Sequence, residues 1–414
     1  MAKEYENMNL VFYVGTHRLT AALAETLSGN ARIVRYAELQ HPEGFQKGGV
    51  DQLEKAVASV EELLKRLELG EEAFEIPAYV LLSSSQLKMS HFSSSVCYPG
   101  YPRVLTSHEV RQVVEQTRNV APLPLEDWIL QAIPESYWVN DLTGVQDPIG
   151  LEAQRLAVTL QLFTVPYSVF RNLSRVFDTL ELNLKGYFPK TLFLPEGVLN
   201  RAEREGEALI IDFTDEATHL VLTEEGKIIQ TKSLEVGSRF LTTRLAETWK
   251  LSLAEGERLK ERFGSLEENL QHGEELIPLR EREGLENHQI RRSEFHSALL
   301  RTTEDLFSRI HKEAKSLVTQ EKRGGPALVL TGGGARLEGI VEFMSRQFQA
   351  PVRLGSPRGI EAVAEVLMNP AWVGPAGLLH WIASRTKGES LGLAKENLLE
   401  RVFLQAKDWL AAYF

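Results

Sequence analysis

The stretch LVLTGGGARLEGI, from Leu328 to Ile340, joins an apolar run directly to three consecutive glycines and then to a helical pattern. The apolar run predicts a buried parallel strand. Glycines allow positive φ and carry no Cβ that would hold a ligand away from the backbone, and here they are Gly332, Gly333 and Gly334. A helix beginning near Leu337 would direct its N-terminal amides toward a bound anion. The pattern indicates a loop that approaches a phosphate or a nucleoside, and a tight turn without a ligand is the alternative.

Two upstream segments each consist of an apolar strand, a short polar turn and a second strand. They are LVFYVGTHRLTAALAE, from Leu10 to Glu25, and ALIIDFTDEATHLVLTEEGKII, from Ala208 to Ile229. These hairpins resemble those that hold the phosphates from opposite sides in the actin-like ATPase fold, where a third glycine loop holds the nucleoside. The three segments occur in the order of that fold and at about its spacing. The resemblance predicts a two-lobed α/β protein built on RNase H-like subdomains.

Four other segments carry a narrower resemblance. They are GFQKGGVDQLEKAVASVEELLKRLE (Gly44 to Glu68), ILQAIPESYWVNDLTGVQDPIGLEAQRLAVTLQLFTV (Ile129 to Val165), EVGSRF with EGERLKERFG (within Leu234 to Gly264), and VRLGSPRGI (Val352 to Ile360). Together they resemble the bacterial cell-division family FtsA over nearly the whole chain. The glycine loop and the hairpins belong to the same resemblance.

The resemblance implies a division of the chain into lobes. A first lobe is expected over residues 1–199, with an inserted FtsA-type subdomain at about 83–158, and a second lobe over residues 200–383. A linker is expected over 384–395 and an amphipathic helix over 396–414. Within the insert, TSHEVRQVVEQTRNVAPL predicts a helix with a Thr or Ser cap, Glu109 in the first turn and one apolar face, formed by Val110, Val113 and Val114.

Composition excludes several classes of protein. The chain has 414 residues, 43% hydrophobic and 25% charged, which is enough for more than one core. Its formal net charge of -11 argues against nucleic acid, because phosphate backbones require a basic surface. The single cysteine, Cys97, excludes an intrachain disulfide, and we expect it to be buried. No signal peptide, transmembrane segment or metal-ligand cluster is expected.

The resemblance also implies a set of nucleotide contacts. They are Gly15, Thr16, Arg18, Asp212, Gly237, Glu257, Lys260, Gly332, Gly333, Gly334 and Arg336. Glu257 and Lys260 would lie on the ribose side, with a surface ion pair as the alternative. Asp212 could bind a metal, or it could cap the turn at the end of its strand.

Departures from the family pattern lie in the two hairpin turns that would hold the phosphates, which we call the phosphate end of the cleft. Tyr13 replaces an acidic residue of the first turn, and a phenol cannot supply the charge that helps to position Mg²⁺. In the second turn, Thr214, Asp215 and Glu216 replace three glycines, and His219 replaces an aspartate. Carboxylates there would repel a terminal phosphate by roughly 4 kcal/mol for each pair of unit charges 4 Å apart, at an effective dielectric of about 20. We therefore expect no hydrolysis and no catalytic residue; binding of ATP or ADP is left open, and Mg²⁺ would come only with nucleotide.

The end of the chain predicts an amphipathic helix. At 100° per residue one stripe of ENLLERVFLQAKDWLAAYF collects Leu399, Val402, Phe403, Ala406, Trp409, Leu410, Tyr413 and Phe414. FtsA ends in such a helix, which lies in the inner membrane surface. Packing of the helix against the second lobe is the alternative. Acidic residues in the helix weaken attraction to anionic lipid, so apolar burial would provide most of the binding.

The resemblance implies a peripheral membrane adaptor on the cytoplasmic face. Such proteins form filaments or oligomers, bind the C-terminal peptide of FtsZ and recruit later division proteins. Arg292, Arg301 and Arg309 could meet an acidic FtsZ tail, although they could also form an ordinary solvated helical face. The alternatives are a scaffold of type IV pilus assembly resembling PilM and an active actin-like ATPase.

Overall fold

A computed structural model describes residues 7–15, 17–27, 29–46, 48–267, 273–279, 289–318 and 325–390. Thr16 and the whole segment 391–414 therefore lie outside the described residues. The chain alternates between strands and helices from Met8 to Ser390.

The chain begins with a hairpin of two almost fully buried strands and a third, half-buried strand. The elements up to residue 82 are β1 (Met8–Val14), β2 (Arg18–Leu27), β3 (Asn30–Gln40), β4 (Phe45–Gln46), β5 (Gly49–Val50), α1 (Leu53–Arg66) and β6 (Ala78–Leu82). A 3₁₀ turn, Glu71–Phe74, precedes β6. The apolar run of β1 is buried on both faces because neighbouring elements cover both sides of its sheet.

The next elements form a separate small subdomain. They are β7 (Lys88–Cys97), β8 (Arg103–Val104), α2 (Ser107–Asn119), β9 (Asp127–Val139), β10 (Leu142–Val145), β11 (Glu152–Ala153) and β12 (Arg155–Pro166). Its main sheet has the order β10-β9-β12-β7 and packs against α2. The predicted helix and its cap are confirmed: Thr106 and Glu109 form a capping box, and the predicted valines are buried. Cys97 is exposed, so the expectation that it is buried was wrong.

The chain then returns to the first sheet and continues into the second lobe. The remaining elements are α3 (Tyr167–Thr179), β13 (Leu184–Pro189), α4 (Lys190–Val198), α5 (Arg201–Glu205), β14 (Glu207–Phe213), β15 (Thr218–Glu224), β16 (Lys227–Leu234), α6 (Ser238–Trp249), α7 (Leu253–Phe263), β17 (Leu276–Pro278), β18 (Gln289–Arg291), α8 (Arg292–Leu317), β19 (Ala327–Thr331), α9 (Ile340–Phe348), β20 (Val352–Leu354), β21 (Ile360–Glu361), α10 (Ala364–Leu367) and α11 (Val373–Ser390). Two 3₁₀ turns, Gly333–Arg336 and Pro370–Trp372, lie among them.

Both lobes contain the same sheet topology. The first sheet has the order β13-β6-β1-β2-β3-β21, and the second has the order β16-β15-β14-β19-β20. In each, an antiparallel hairpin is extended by two parallel strands, so that β1 pairs with β6 as β14 pairs with β19. The hairpin turns and the ends of β6 and β19 consequently meet at equivalent edges of the two sheets. This repetition places the β1–β2 turn, the β14–β15 turn and the glycine loop around one cleft.

Two helices cross between the lobes. Helix α4 packs on the second sheet through Leu194 and Val198, and α11 packs on the first sheet through Leu378 and Leu379. They approach closely because Gly197 and Gly377 face each other; a Cβ on either would collide with the opposite backbone. By packing, residues 360–383 belong with the first sheet, whereas the predicted boundaries at 199 and 383 follow chain order alone.

Candidate functional site

A cavity of about 490 Å³ lies between the two lobes. From the first lobe it is lined by the β1–β2 turn, and from the second by α6, α7 and the glycine loop. The structure brings most of the predicted contact residues to its wall, namely Gly15, Arg18, Glu257, Lys260, Gly333, Gly334 and Arg336. Asp212, Gly237 and Gly332 lie behind that wall. Arg18 is paired there with Glu38, with Nη1 3.1 Å from Oε2.

The glycine loop is shaped by packing against the second hairpin. Gly332 has φ of +90°, and a Cβ there would collide with the carbonyl of Phe213 and the carboxylate of Asp212. A Cβ on Gly334 would meet the Phe213 ring, whereas Gly333 has open space beside it. Room for a ligand therefore explains only Gly333. The helix expected to begin near Leu337 begins at Ile340, after Gly339 with φ of +75°, and a 3₁₀ turn over Gly333–Arg336 lies between the strand and that helix.

Gly237 is required for contact between the second turn and α6. It precedes that helix, and a Cβ would collide with the carbonyls of Thr214 and Asp215. The next two amides, of Ser238 and Arg239, donate to those same carbonyls at 2.9 and 2.8 Å. The start of α6 therefore clamps the second turn in place.

Glu257 and Lys260 form an ion pair in the cavity wall. Lys260 Nζ lies 2.8 Å from Glu257 Oε2 and 2.8 Å from Thr242 Oγ1, and the Lys260 side chain is only 9% exposed. Burial raises the pKa of Glu257, but the charge of Lys260 and hydrogen bonds from Lys260 and Thr242 outweigh it and hold that pKa below its usual value. The pair is thus part of a preorganised polar wall and differs from an exposed surface pair.

The first feature of the phosphate end is a buried ammonium. Lys190 Nζ donates to Asp212 Oδ1 at 2.9 Å and lies 2.8 Å from Oδ2, with the two side chains 1% and 0% exposed. The Tyr13 hydroxyl is 3.5 Å from the same Nζ. Burial lowers the pKa of Lys190, but Asp212 and Tyr13 reverse the effect and raise it, so this side chain is an ammonium. The surviving carboxylate of the second turn is therefore already neutralised.

The two acidic replacements in the second turn share one guanidinium. Arg239 Nε lies 2.9 Å from Asp215 Oδ2 and 3.2 Å from Glu216 Oε1. Arg239 Nη2 also donates to Nδ1 of His17, in the first turn, at 2.8 Å. Burial lowers the pKa of His17, helped by His41 and Arg239 and opposed by Asp215, which agrees with an accepting, neutral ring. Arg239 therefore compensates the charge of both carboxylates, which the expected repulsion of a terminal phosphate did not take into account.

His219 closes the opposite side of the phosphate end. It is fully buried, with Nε2 3.0 Å from Ser83 Oγ of the first lobe and Nδ1 2.9 Å from Ser233 Oγ. Burial lowers its pKa to about 4, with Asp212 opposing and Lys190 adding to the effect. The imidazole is therefore neutral at physiological pH and joins the two lobes by hydrogen bonds.

Sequence models of known families match two parts of this chain. "Cell division protein FtsA" matches residues 209–377, and "SHS2 domain inserted in FTSA" matches residues 85–164. Cell division protein FtsA of Escherichia coli (strain K12) is 23% identical over 375 residues, covering 89% of this chain and 88% of that protein. FtsA of Pseudomonas aeruginosa is 22% identical over 414 residues, covering 97% of each. The chain belongs to the FtsA family.

Solved structures agree on the fold. The PilM-PilN type IV pilus biogenesis complex superimposes with a TM-score of 0.64 at 15% identity, covering 91% of this chain and 98% of that one. MreB 5 of Spiroplasma citri bound to AMPPNP gives a TM-score of 0.52 at 14% identity, covering 94% and 99%. The predicted two-lobed actin-like fold with an FtsA-type insert is confirmed.

Lys190, Arg239 and Ser83 are the residues of this FtsA-family cleft that the sequence did not reveal. Lys190 directly follows β13 and Ser83 directly follows β6, so both stand at the carboxyl ends of parallel strands, where α/β proteins place functional groups. Arg239 lies inside the quoted EVGSRF segment. For Lys190 and Ser83, the position directly after a strand was the available signal in the sequence.

The three arginines predicted to bind a partner lie on α8. At 100° per residue Arg301 and Arg309 are about 80° apart, while Arg292 is about half a turn from Arg301. Arg292 lies 2.8 Å from Glu275, and Arg309 lies 2.9 Å from Asp305 and over the ring of Phe240. Arg301 and Arg309 can therefore share a surface that does not include Arg292.

The predicted membrane stripe, Leu399 to Phe414, lies outside the described residues. Within the described ranges, no helix has the length and apolar character needed to cross a bilayer. In the same ranges, no three His, Cys, Asp or Glu side chains are grouped so that they could hold a metal ion.

Proposed function

We propose that this FtsA-family protein is a division adaptor that self-associates on the cytoplasmic face of the membrane. It tethers FtsZ there through the FtsZ C-terminal peptide, recruits later division proteins and does not hydrolyse ATP. The proposal rests on one observation: in this FtsA-family chain, the ion pairs Lys190–Asp212 and Arg239–Asp215 occupy the phosphate end of the cleft. Such a chain retains the family's scaffold and surfaces while lacking the means to bind the reacting groups.

The two ends of the cleft differ in how well they suit ATP with Mg²⁺. The Glu257–Lys260 pair and the open Gly333 offer polar groups and space for a nucleoside. At the other end Mg²⁺ would need Asp212 as a ligand, and an ion that close to Lys190 Nζ would face an ammonium. Two unit charges 4 Å apart repel by about 4 kcal/mol at an effective dielectric of 20, and a divalent ion doubles that. The phosphate end therefore does not fit Mg²⁺ and a triphosphate.

Membrane attachment rests on the terminal stripe of eight apolar residues. Partial burial of its large side chains is worth several kcal/mol at about 25 cal/mol per Å², which gives reversible binding for a single chain. Self-association strengthens this attachment, because one inserted helix holds its neighbours near the same surface. The predicted linker over 384–395 was wrong for its first part, because residues 384–390 continue α11. The rest of that span, residues 391–395, lies outside the described residues.

Binding of FtsZ is proposed on the α8 surface that carries Arg301 and Arg309. Among the described residues, the Arg301 side chain bonds the carbonyl of Ser297 in its own helix, at 3.2 Å, and forms no ion pair, so its positive charge is available to an acidic peptide. Arg309 is shared with Asp305, so a peptide carboxylate would compete for it. The negative net charge of the whole chain means that such an acidic partner must be recognised by a local basic surface.

A role in pilus assembly has less support. The likeness to the PilM-PilN complex is at 15% identity, which carries the shared fold and no more. Both family matches are FtsA models, and one of them covers the inserted subdomain. These observations favour cell division over pilus assembly.

Co-sedimentation with liposomes tests the proposal. We expect the full-length protein to pellet with vesicles and to carry a labelled FtsZ C-terminal peptide with it, and a chain ending before Lys395 to stay in the supernatant. Phe403→Glu with Trp409→Glu should release the protein, because both charges enter the apolar stripe. Asn397→Glu with Gln405→Glu adds the same charge outside that stripe and serves as the matched control.

The outcomes separate the parts of the proposal. Sedimentation that persists in the truncated chain contradicts the tether. Vesicle binding without capture of the FtsZ peptide contradicts the adaptor role. Loss of capture in Arg301→Glu, with vesicle binding unchanged, would support the α8 surface, whereas unchanged capture would exclude it.

A further inference from the structure

Three polar contacts join the lobes at the phosphate end of the cleft. Tyr13 reaches Lys190 on the Lys190–Asp212 pair, Ser83 bonds His219, and His17 bonds Arg239 on the Arg239–Asp215 pair. Tyr13, His17 and Ser83 belong to the first lobe, and Asp212, Asp215, His219 and Arg239 belong to the second. Lys190 follows β13 of the first sheet and begins α4, so its bond to Asp212 is the one that crosses between the sheets. We call this set, formed by Tyr13, His17, Ser83, Lys190, Asp212, Asp215, His219 and Arg239, the cross-lobe clasp.

The clasp lies where a nucleotide's phosphates would otherwise bridge the two turns. A ligand between two lobes stabilises the closed form only through contacts that it loses on opening. Here side chains of the protein make such contacts. Lys190 at the start of α4 reaches Asp212, Ser83 reaches His219, and His17 accepts from Arg239. Lys190 Nζ and the Arg239 guanidinium supply the positive charge that a metal would bring, and Asp212, Asp215 and Glu216 supply the negative charge.

The packing around Lys190 indicates that its position is built in. A Cβ on Gly374 of α11 would lie 2.7 Å from Lys190 Cγ and 2.9 Å from Cε, so the stem of the lysine fills the space left by that glycine. Helix α11 packs on the first sheet, and Lys190 begins α4 on the second. The lysine therefore sits at the crossing of the two helices that connect the lobes, where any opening of the cleft would have to move it.

We propose that the cross-lobe clasp holds this protein closed without nucleotide or metal. The two lobes keep one relative orientation in the ligand-free protein, and the surfaces that depend on that orientation are presented permanently. This inference concerns the conformation of the cleft and is independent of lipid or FtsZ binding, so either can fail alone.

Single-molecule energy transfer across the cleft tests the proposal. Dyes are placed on cysteines at two exposed positions, Glu61 on α1 and Glu304 on α8, in the full chain carrying Cys97→Ser to remove the exposed native thiol. The ligand-free protein should give one narrow distribution of transfer efficiency. Addition of Mg²⁺–ATP, ADP or adenosine should leave it unchanged.

A matched pair of variants tests the cause of closure. Arg239→Gln removes the guanidinium that joins His17 to Asp215, and it should add a second population or broaden the distribution. Loss of one charge-assisted hydrogen bond shifts an opening equilibrium by about tenfold or more. Arg244→Gln lies on the same helix and removes an exposed pair with Glu247 and a contact with the Phe240 ring, neither of which crosses the cleft, so it should behave like the wild type.

Two results would overturn the proposal. One is a broad distribution in the ligand-free wild type that narrows when Mg²⁺–ATP is added, which would mean that the nucleotide closes the cleft. The other is a narrow wild-type-like distribution in folded Arg239→Gln. The wild-type comparison is decisive by itself if Arg239→Gln does not fold.

Discussion

Removing the ammonium of Lys190 should be among the most destabilising single changes in the cleft. Lys190→Met retains most of the buried stem but leaves the Asp212 carboxylate, 0% exposed, without the cation 2.9 Å away. Breaking a buried pair on one side costs about 3 to 5 kcal/mol, whereas replacing both partners is often nearly neutral. We therefore expect about that loss in Lys190→Met and recovery of most of it in Lys190→Met with Asp212→Asn.

Urea denaturation followed by tryptophan fluorescence measures these differences. Arg201→Met, in a pair with side chains 93% and 65% exposed, is the matched control and should cost less than about 1 kcal/mol. The double-mutant cycle isolates the coupling of Lys190 to Asp212. A Lys190→Met protein within 1 kcal/mol of the wild type, or one restored by millimolar Mg²⁺, would refute the reasoning, because Asp212 would then be a free or metal-binding carboxylate.

Two further predictions concern His219 and the glycine loop. Burial lowers the pKa of His219 to about 4, so as the pH falls the unfolded chain takes up a proton near pH 6.5, before the folded chain does. The free energy of unfolding should therefore fall by up to about 3 kcal/mol as the pH is lowered from 6.5 toward 4. His219→Gln should flatten this part of the pH profile in urea titrations, and an unchanged profile would contradict the prediction. Gly332→Ala should lower the Tm by several degrees, because φ is +90° and the added Cβ would collide with Phe213 and Asp212. Gly333→Ala should leave the Tm nearly unchanged, because the space beside Gly333 is open. Equal shifts of the two Tm values by calorimetry would contradict the packing argument.

The fold was accessible to sequence reasoning because its signals are local. Apolar strands on both sides of a short turn produced the two hairpins, and three glycines after an apolar run marked the end of β19. Thr106 and Glu109, three residues apart, fixed the start of α2. The arrangement of α11 on the first sheet was not accessible, because it depends on the close approach of Gly197 and Gly377, which are distant in sequence.

The chemistry of the cleft was only partly accessible. The loss of the acidic residue at Tyr13 and of the turn glycines could be read directly. Their consequence could not, because Lys190 and Arg239, which compensate Asp212 and Asp215, lie 22 and 24 residues from them. Treating the carboxylates as unpaired overstated the repulsion. Likewise, Gly332 and Gly334 suggested space for a ligand, but both glycines pack against Phe213. That contact could not be predicted, because it depends on the pairing of β14 with β19.

Isothermal titration of the full-length protein with ATP, with and without Mg²⁺, and with adenosine tests the central claim most directly. That claim is that the chain's own charges occupy the phosphate end, so the triphosphate and the metal can add nothing to binding. ATP should therefore bind no more tightly than adenosine, Mg²⁺ should not change the result, and no phosphate should be released above a protein-free blank. Magnesium-dependent binding of ATP tenfold or more tighter than that of adenosine, with turnover lost in Asp212→Ala, would contradict the account.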